Sequence, residues 1–171
     1  MITLIYGGSG SGKSAFAEDY VCSLDYQNKY YLATMKSTDT ESQARIKRHR
    51  QLREGKSFIT VEQPTDISKA LKDMDGIVLL ECMSNLVANE MFKGKKSLSS
   101  KECIHKVLID TIKLSEQVKH LVIVTNNVFE DGIEYDDYTK EYLRTLGTIN
   151  EKLAGIAEEV YEVVVGIGIK L

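Results

Sequence analysis

Eight residues near the start of the chain, Gly7-Gly8-Ser9-Gly10-Ser11-Gly12-Lys13-Ser14, have the types and spacing of a loop that holds phosphate. The pattern is G-x-x-x-x-G-K-S. Glycines let the backbone curl so that successive N–H groups converge on phosphate oxygens. A helix beginning where the loop ends adds its positive N-terminal pole. The Lys13 ammonium can then reach the β and γ phosphates of a nucleoside triphosphate, and the Ser14 hydroxyl can ligate Mg²⁺. A glycine-rich turn without function could match by chance. The context argues otherwise, because an apolar run, Ile2–Tyr6, precedes the loop and a helical stretch, Ala15–Val21, follows it. The motif names a class of ligand and leaves the reaction open.

A second stretch, Asp39–Arg53, can also do chemistry. Glu41, Arg45, His49 and Arg53 recur every four residues, so on a helix they share one stripe. A histidine between arginines sits in a positive field, which favours neutral imidazole near neutral pH. Neutral imidazole is a nucleophile, and arginines beside it can hold phosphate oxygens: Arg45 and Arg53 are the candidate clamps. The competing readings are a solvated cationic helix with an incidental histidine, or contact with nucleic acid. The second has little support, since no aromatic residues interleave with the basic ones and the net charge is −3. His105 and His120 have no partner pattern and read as structural or exposed.

The elements that would carry these residues alternate between apolar runs and helical patterns. Strands are expected at Ile2–Tyr6, Lys29–Thr34, Ser57–Glu62, Ile77–Glu81, Leu121–Thr125, Val160–Val165 and Ile167–Leu171. Helices are expected at Asp39–Arg53, Thr65–Asp73, Leu98–Lys119 and Tyr138–Glu159. Continuous apolar strands separated by helices predict an α/β fold, a mainly parallel sheet covered on both faces, with the last strand a candidate antiparallel edge. Ligands of such sheets lie at the carboxyl ends of the strands. That rule gathers Gly7–Ser14, Thr34, Glu81 and Thr125-Asn126 at one rim. Glu81, an acid ending an apolar strand, is the candidate second contact to Mg²⁺. The alternative for Glu81 is an acid serving the N-terminus of the segment after it.

A chain of 171 residues, 43% hydrophobic and 27% charged, fits one domain over residues 1–171. No run reaches the roughly 18 apolar residues of a membrane span. The absence of an export signal and the scattered cysteines Cys22, Cys82 and Cys103 predict reduced thiols in the cytoplasm.

Taken together, these pieces resemble the bifunctional adenosylcobinamide kinase/adenosylcobinamide-phosphate guanylyltransferase family of cobalamin biosynthesis. The resemblance rests on GGSGSGKS at Gly7–Ser14 and on Ala33-Thr34 followed by Asp39, Glu41, Arg45-Ile46, His49 and Arg53 at the family's spacing. It continues through Thr60–Pro64, Leu79–Cys82, Val124–Asn126, Leu146-Gly147, Asn150, Leu153-Ala154 and Val164–Ile167. It implies two reactions. One phosphorylates the corrinoid's aminopropanol hydroxyl with a nucleoside triphosphate, GTP or ATP. In the other, GTP guanylylates His49 and the GMP passes to adenosylcobinamide phosphate, giving adenosylcobinamide-GDP. The resemblance further implies guanine-nucleotide contacts from Ala33, Thr34, Met35, Arg50, Gln51, Leu52, Arg53, Glu62 and Glu81. It also implies a homo-oligomer, a trimer by resemblance, with the histidine helix near a neighbouring subunit.

The sequence departs from the family pattern in three places. Gly10 stands where the family usually has arginine. Thr125-Asn126-Asn127-Val128-Phe129 replaces a T-N-E-V-G segment, so a carboxylate becomes an amide and a glycine a phenylalanine. The acidic stretch Glu130–Asp137 lacks the usual proline. A carboxylate lost at the strand rim points to an altered kinase step or altered corrinoid binding, with the opposite assignment open. The rival readings are a guanylyltransferase without kinase activity, an unrelated small-molecule kinase with a phosphate loop, and a GTP-dependent switch or binding protein.

Overall fold

A computed structural model describes residues 1–36, 43, 47, 51, 53–70, 74–92, 97–128 and 134–171. Among these residues, seven strands form one sheet: β1 (Ile2–Gly8), β2 (Lys29–Ala33), β3 (Phe58–Glu62), β4 (Met74–Glu81), β5 (Val118–Asn127), β6 (Glu159–Val164) and β7 (Ile167–Lys170). Their order is β3-β2-β4-β5-β1-β6-β7. The six strands from β3 to β6 run parallel, and β7 closes the edge antiparallel to β6. The expected parallel sheet and its antiparallel last strand are both present.

The described helices are α1 (Lys13–Ser23), α2 (Met83–Met91), α3 (Ser100–Glu116) and α4 (Asp137–Ile156). They cover the sheet from both sides, as strands without polar alternation require. On one face Ala17 and Val21 of α1 pack with Ile5, Tyr31, Leu79, Val122, Val124 and Val163. On the other face Leu86, Val107, Leu114, Leu146, Ile149 and Leu153 pack with Leu4, Leu32, Val78, Leu80, Leu121 and Ile123. Helix α3 starts on a capping box, Ser99 receiving the Glu102 amide while Glu102 receives that of Ser99. Helix α4 starts on Asp136, whose carboxylate accepts from Thr139 N–H at 2.7 Å and is held below its usual pKa by that bond.

Two expectations are corrected. The segment read as a helix over Thr65–Asp73 holds only a short 3-10 turn, Ile67–Lys69, among its described residues. Asp66 adopts a left-handed conformation and gives its N–H to Glu90 Oε1 at 2.6 Å, so a tertiary contact overrides the local start signal. Conversely, α2 follows Glu81 almost immediately and was not expected. Its N-cap, Cys82, makes no side-chain cap, so the usual start signal is absent. Of the expected helix over Asp39–Arg53, Gln43, Lys47 and Gln51 are described as helical and exposed. Among the described residues no helix is long and apolar enough to cross a membrane. Cys82 and Cys103 are buried, Cys22 is half-buried, and all three are free thiols. His105 is exposed and His120 is buried against Thr3, so both fall within the structural or exposed reading.

Candidate active site

The phosphate loop sits where parallel packing puts it, between the end of β1 and the start of α1. Gly10 and Gly12 have φ of 72° and 86°, values that side chains rarely adopt. Ser11 N–H donates to Gly8 O at 3.2 Å, and Phe16 N–H to Gly12 O at 3.0 Å, which begins the helix. Gly7 has no room for a side chain, since a Cβ would lie 2.6 Å from Val163 O and 2.7 Å from Ser11 Oγ. The β6–β7 turn also touches the loop: Gly166 N–H donates to Ser11 O at 2.7 Å. At Gly10 the positive φ costs glycine nothing, and a Cβ there would meet no atom within 4 Å.

Lys13 folds back over the loop and donates to Gly8 O at 3.0 Å. Burial lowers its pKa, opposed by the nearby Cys82 and Glu81. The Ser14 hydroxyl donates to Glu81 Oε1, so the two expected metal contacts are already neighbours. Glu81 ends β4 in register with Ala33 of β2 and Val124 of β5. Gly7 and Gly8 are in register with Asn126 and Asn127 of β5, and Ala33 with Glu62 of β3. The carboxyl ends of five strands therefore form one rim carrying Gly8, Ala33, Glu62, Glu81 and Asn127.

Each expected contact residue has a definite setting. Thr34 is buried, with its hydroxyl donating to Cys82 O at 2.8 Å and its N–H to Glu81 O at 3.0 Å. It braces the Glu81 strand end, while Met35 beside it is half-buried. Glu62 and Gln51 are exposed. Arg53 is 8% exposed, and its guanidinium carbon lies 3.4 Å from the centre of the Tyr31 ring. His49, Arg45, Arg50 and Leu52 lie outside the described residues, as does Phe129.

Sequence reasoning missed the polar network beneath the rim. Thr125 Oγ1 donates to Asn150 Oδ1 at 2.7 Å, and Asn150 Nδ2 donates to Asn126 O at 3.4 Å. Asn126 Nδ2 donates to Ser84 Oγ at 2.7 Å, and Tyr142 OH to Ser84 O at 3.1 Å. Asn89 Nδ2 donates to Thr34 O and Pro64 O at 2.7 and 3.0 Å. This network orients the ends of β4 and β5 from α2 and α4. Asn150 was visible only as a family match, with no local pattern to reveal its partner 25 residues away.

A glycine loop between strand and helix, with Lys13 over it and a Ser14–Glu81 oxygen pair beside it, defines the class as a P-loop nucleoside-triphosphate protein. The fold agrees with this class. The chain is similar to a prototypical ATPase from the type III secretion system of pathogenic bacteria, with a TM-score of 0.58 at 9% identity, covering 99% of this chain and 56% of that one. Residues 3–171 match the family described as cobinamide kinase / cobinamide phosphate guanyltransferase, and the chain belongs to that family. It is 31% identical to the bifunctional adenosylcobalamin biosynthesis protein CobU of Escherichia coli (strain K12), across 100% of this chain and 99% of that protein. It is 30% identical to the protein of the same name from Salmonella typhimurium, with the same coverage.

Proposed function

We propose that this chain, acting as one nucleotide-binding domain over residues 1–171, is an adenosylcobinamide kinase and adenosylcobinamide-phosphate guanylyltransferase. The observation that carries the reading is the family match over residues 3–171 together with a formed phosphate loop at its start. In the kinase reaction, the aminopropanol hydroxyl of adenosylcobinamide attacks the γ-phosphorus of GTP or ATP and the nucleoside diphosphate leaves. In the transferase reaction, an imidazole nitrogen of His49 attacks the α-phosphorus of GTP. The bond to the β-phosphate oxygen breaks and pyrophosphate departs. A phosphate oxygen of adenosylcobinamide phosphate then attacks the same phosphorus and displaces the imidazole, forming the diphosphate bond of adenosylcobinamide-GDP. Splitting one displacement into two lets His49 act as a relay.

The loop N–H groups and Lys13 would hold the charge that builds on the departing phosphates. Burial of Lys13 in a site of low dielectric strengthens that attraction. Gly7–Ser14, Ala33–Met35, Arg50–Arg53, Glu62 and Glu81 would line the nucleotide, with Arg45 and Arg53 as the candidate clamps for phosphate. Hard oxygen donors suit Mg²⁺, and Ser14 beside Glu81 fits it, directly or through water. Bound there, Mg²⁺ would neutralise phosphate charge. The protein would work in the cytoplasm as a homo-oligomer, without nucleic acid or membrane partners.

The test is label transfer to adenosylcobinamide. Label from the γ-phosphate of GTP appears in adenosylcobinamide phosphate, and label from the α-phosphate appears in adenosylcobinamide-GDP. Transfer of neither contradicts the assignment. A second reading, guanylyltransferase without kinase activity, draws support from Asn127. An amide stands in register with Gly8 where the family pattern has a carboxylate. Transfer of α label to supplied adenosylcobinamide phosphate, with no γ label reaching adenosylcobinamide, would favour it.

A further inference from the structure

We propose that the β6–β7 turn, with Val165 at its tip, is a seat for the base of a nucleoside triphosphate whose phosphates the loop holds. The proposal rests on the reading that the loop binds a triphosphate, and it adds a base site apart from the guanine contacts expected at Ala33 and Glu62. The turn stands on the rim where ligands of parallel sheets lie. Strand β6 runs parallel to β1 with Glu162 in register with Tyr6, so the residues that follow come level with Gly7 and Gly8. The contact with the loop is direct. A Cβ on Gly7 would lie 2.6 Å from Val163 O, and Gly166 N–H donates to Ser11 O at 2.7 Å.

The residues of this turn suit a ligand better than they suit the fold. Val164 pairs with Ile167, which leaves Val165 and Gly166 as the two central residues. Both have positive φ, 45° and 83°. Two-residue turns of this kind favour Asn-Gly, because asparagine tolerates the left-handed region and a β-branched side chain does not. Val165 is also 83% exposed, beside Val164 at 44% and Ile167 at 64%. The chain thus accepts backbone strain and an apolar side chain in water at the same residue, and the core gains no burial from either. Strain of this sort gathers at ligand sites, and a contiguous exposed apolar patch marks a surface that something covers.

The neighbouring loop identifies the occupant. A nucleotide held there by its phosphates carries its base on a short covalent tether, and the face of that base is its apolar part. The sheet order offers the base two directions. Strand β6 is next to β1, whereas β2 and β3 lie three and four strand spacings away on the other side. At 4.7–4.9 Å per spacing, the turn is about 5 Å from the β1 line and Ala33 and Glu62 are about 14 and 19 Å from it. The turn at 164–167 carries no side-chain donor or acceptor. It can cover the face of a base but its side chains cannot read the edge, so adenine and guanine fit alike. A phosphoryl donor that is either GTP or ATP needs a seat of that kind.

The experiment is calorimetric titration of wild type and Val165→Asn with ATP, with inorganic tripolyphosphate, and with the ATP analogue that lacks the 6-amino group. Mg²⁺ is present and corrinoid is left out, and the melting temperature of each free protein is recorded. Asparagine removes the apolar face and suits the turn. The expected result is a free variant that melts about 2–4 °C higher, since strain is relieved. ATP binds the variant about fivefold or more weakly, while tripolyphosphate binds it within about twofold of wild type. Wild type binds ATP and the analogue within about twofold of each other.

Unchanged ATP affinity in Val165→Asn would overturn the proposal, and a change of sedimentation mass alongside it would assign the surface to a contact between copies of the chain. Equal weakening of ATP and tripolyphosphate would overturn it too, by making the turn a brace for the loop. A lower melting temperature would contradict the strain at Val165. If Val165→Asn does not fold, Val165→Gly, which also suits the turn, is read by the same outcomes. Failure of wild type to bind either ATP or tripolyphosphate would instead refute the reading of the loop on which the proposal stands.

Discussion

Replacing Gly12 by alanine should weaken GTP binding more than replacing Gly10, and the structure gives the difference. Both residues have positive φ, 86° and 72°, and a Cβ there costs roughly 1–2 kcal/mol of backbone strain. Around Gly10 a new Cβ meets nothing within 4 Å, so strain is the whole cost. At Gly12 the Cβ would lie 3.0 Å from Gly166 Cα and 3.3 Å from Gly166 N. Carbon contacts settle near 3.5–4.0 Å, so the β6–β7 turn must yield by about half an ångström. That turn is tied to the loop by Gly166 N–H on Ser11 O at 2.7 Å, a bond whose loss costs about 1 kcal/mol. The totals are about 1–2 kcal/mol for Gly10→Ala and about 2–3 kcal/mol for Gly12→Ala. At tenfold per 1.4 kcal/mol, the largest loss of GTP affinity is roughly five- to thirtyfold in the first and about a hundredfold in the second, and whatever part the free loop already carries appears as lost stability instead. Calorimetric titration with GTP, paired with the melting temperature of the free protein, assigns the cost to binding or to folding. Binding within twofold of wild type and an unchanged melting temperature in Gly12→Ala would refute the reasoning. A larger cost at Gly10 would refute the contact with the turn.

Three other outcomes are expected. Lys13→Ala should abolish measurable transfer from the triphosphate while leaving the far-ultraviolet circular dichroism unchanged; full activity in product assays would show that the loop lysine is not used. Lys106 bridges Asp66, Glu90 and Asp110 at 2.8, 3.1 and 2.6 Å, and Glu90 is almost fully buried. Lys106→Ala should therefore cost about 3 kcal/mol in urea unfolding, the low end for a broken buried pair because Lys106 keeps 28% side-chain exposure. His120 is buried, with Nε2 2.8 Å from Thr3 Oγ1, and burial lowers its pKa below 6.5. The folded form resists protonation that the unfolded chain accepts, so this stability is complete above about pH 6.5 and is lost as pH falls through the folded value. The urea midpoint of wild type should drop more between pH 7.5 and pH 5 than that of His120→Gln; equal drops would assign the acid sensitivity elsewhere.

The sheet was legible because its strands declare themselves. Ile77–Glu81 and Leu121–Thr125 are continuous apolar runs, and a strand buried on both faces needs that composition. The phosphate loop was legible because its glycines and Lys13 answer to local backbone geometry. Where tertiary contacts decide, the reading failed. Thr65–Asp73 has the look of a helix start, yet Asp66 surrenders its N–H to Glu90, 24 residues on. Helix α2 carries no capping side chain to announce it. The rim network pairs Thr125 with Asn150 and Asn126 with Ser84, contacts that only the folded sheet brings together. Arg53 was legible as a cation on the His49 stripe. Its seat on Tyr31 was not, because the ring is 22 residues earlier and on a different element.

On the proposed function, His49 of this chain carries GMP between GTP and the corrinoid. Intact-protein mass spectrometry after incubation with GTP and Mg²⁺, with ATP in parallel and His49→Ala as control, tests it most directly. The expected result is a gain of one GMP with GTP, labile to acid, stable to hydroxide, and absent in His49→Ala. An unmodified wild-type mass, or an adduct that persists in His49→Ala, would contradict it.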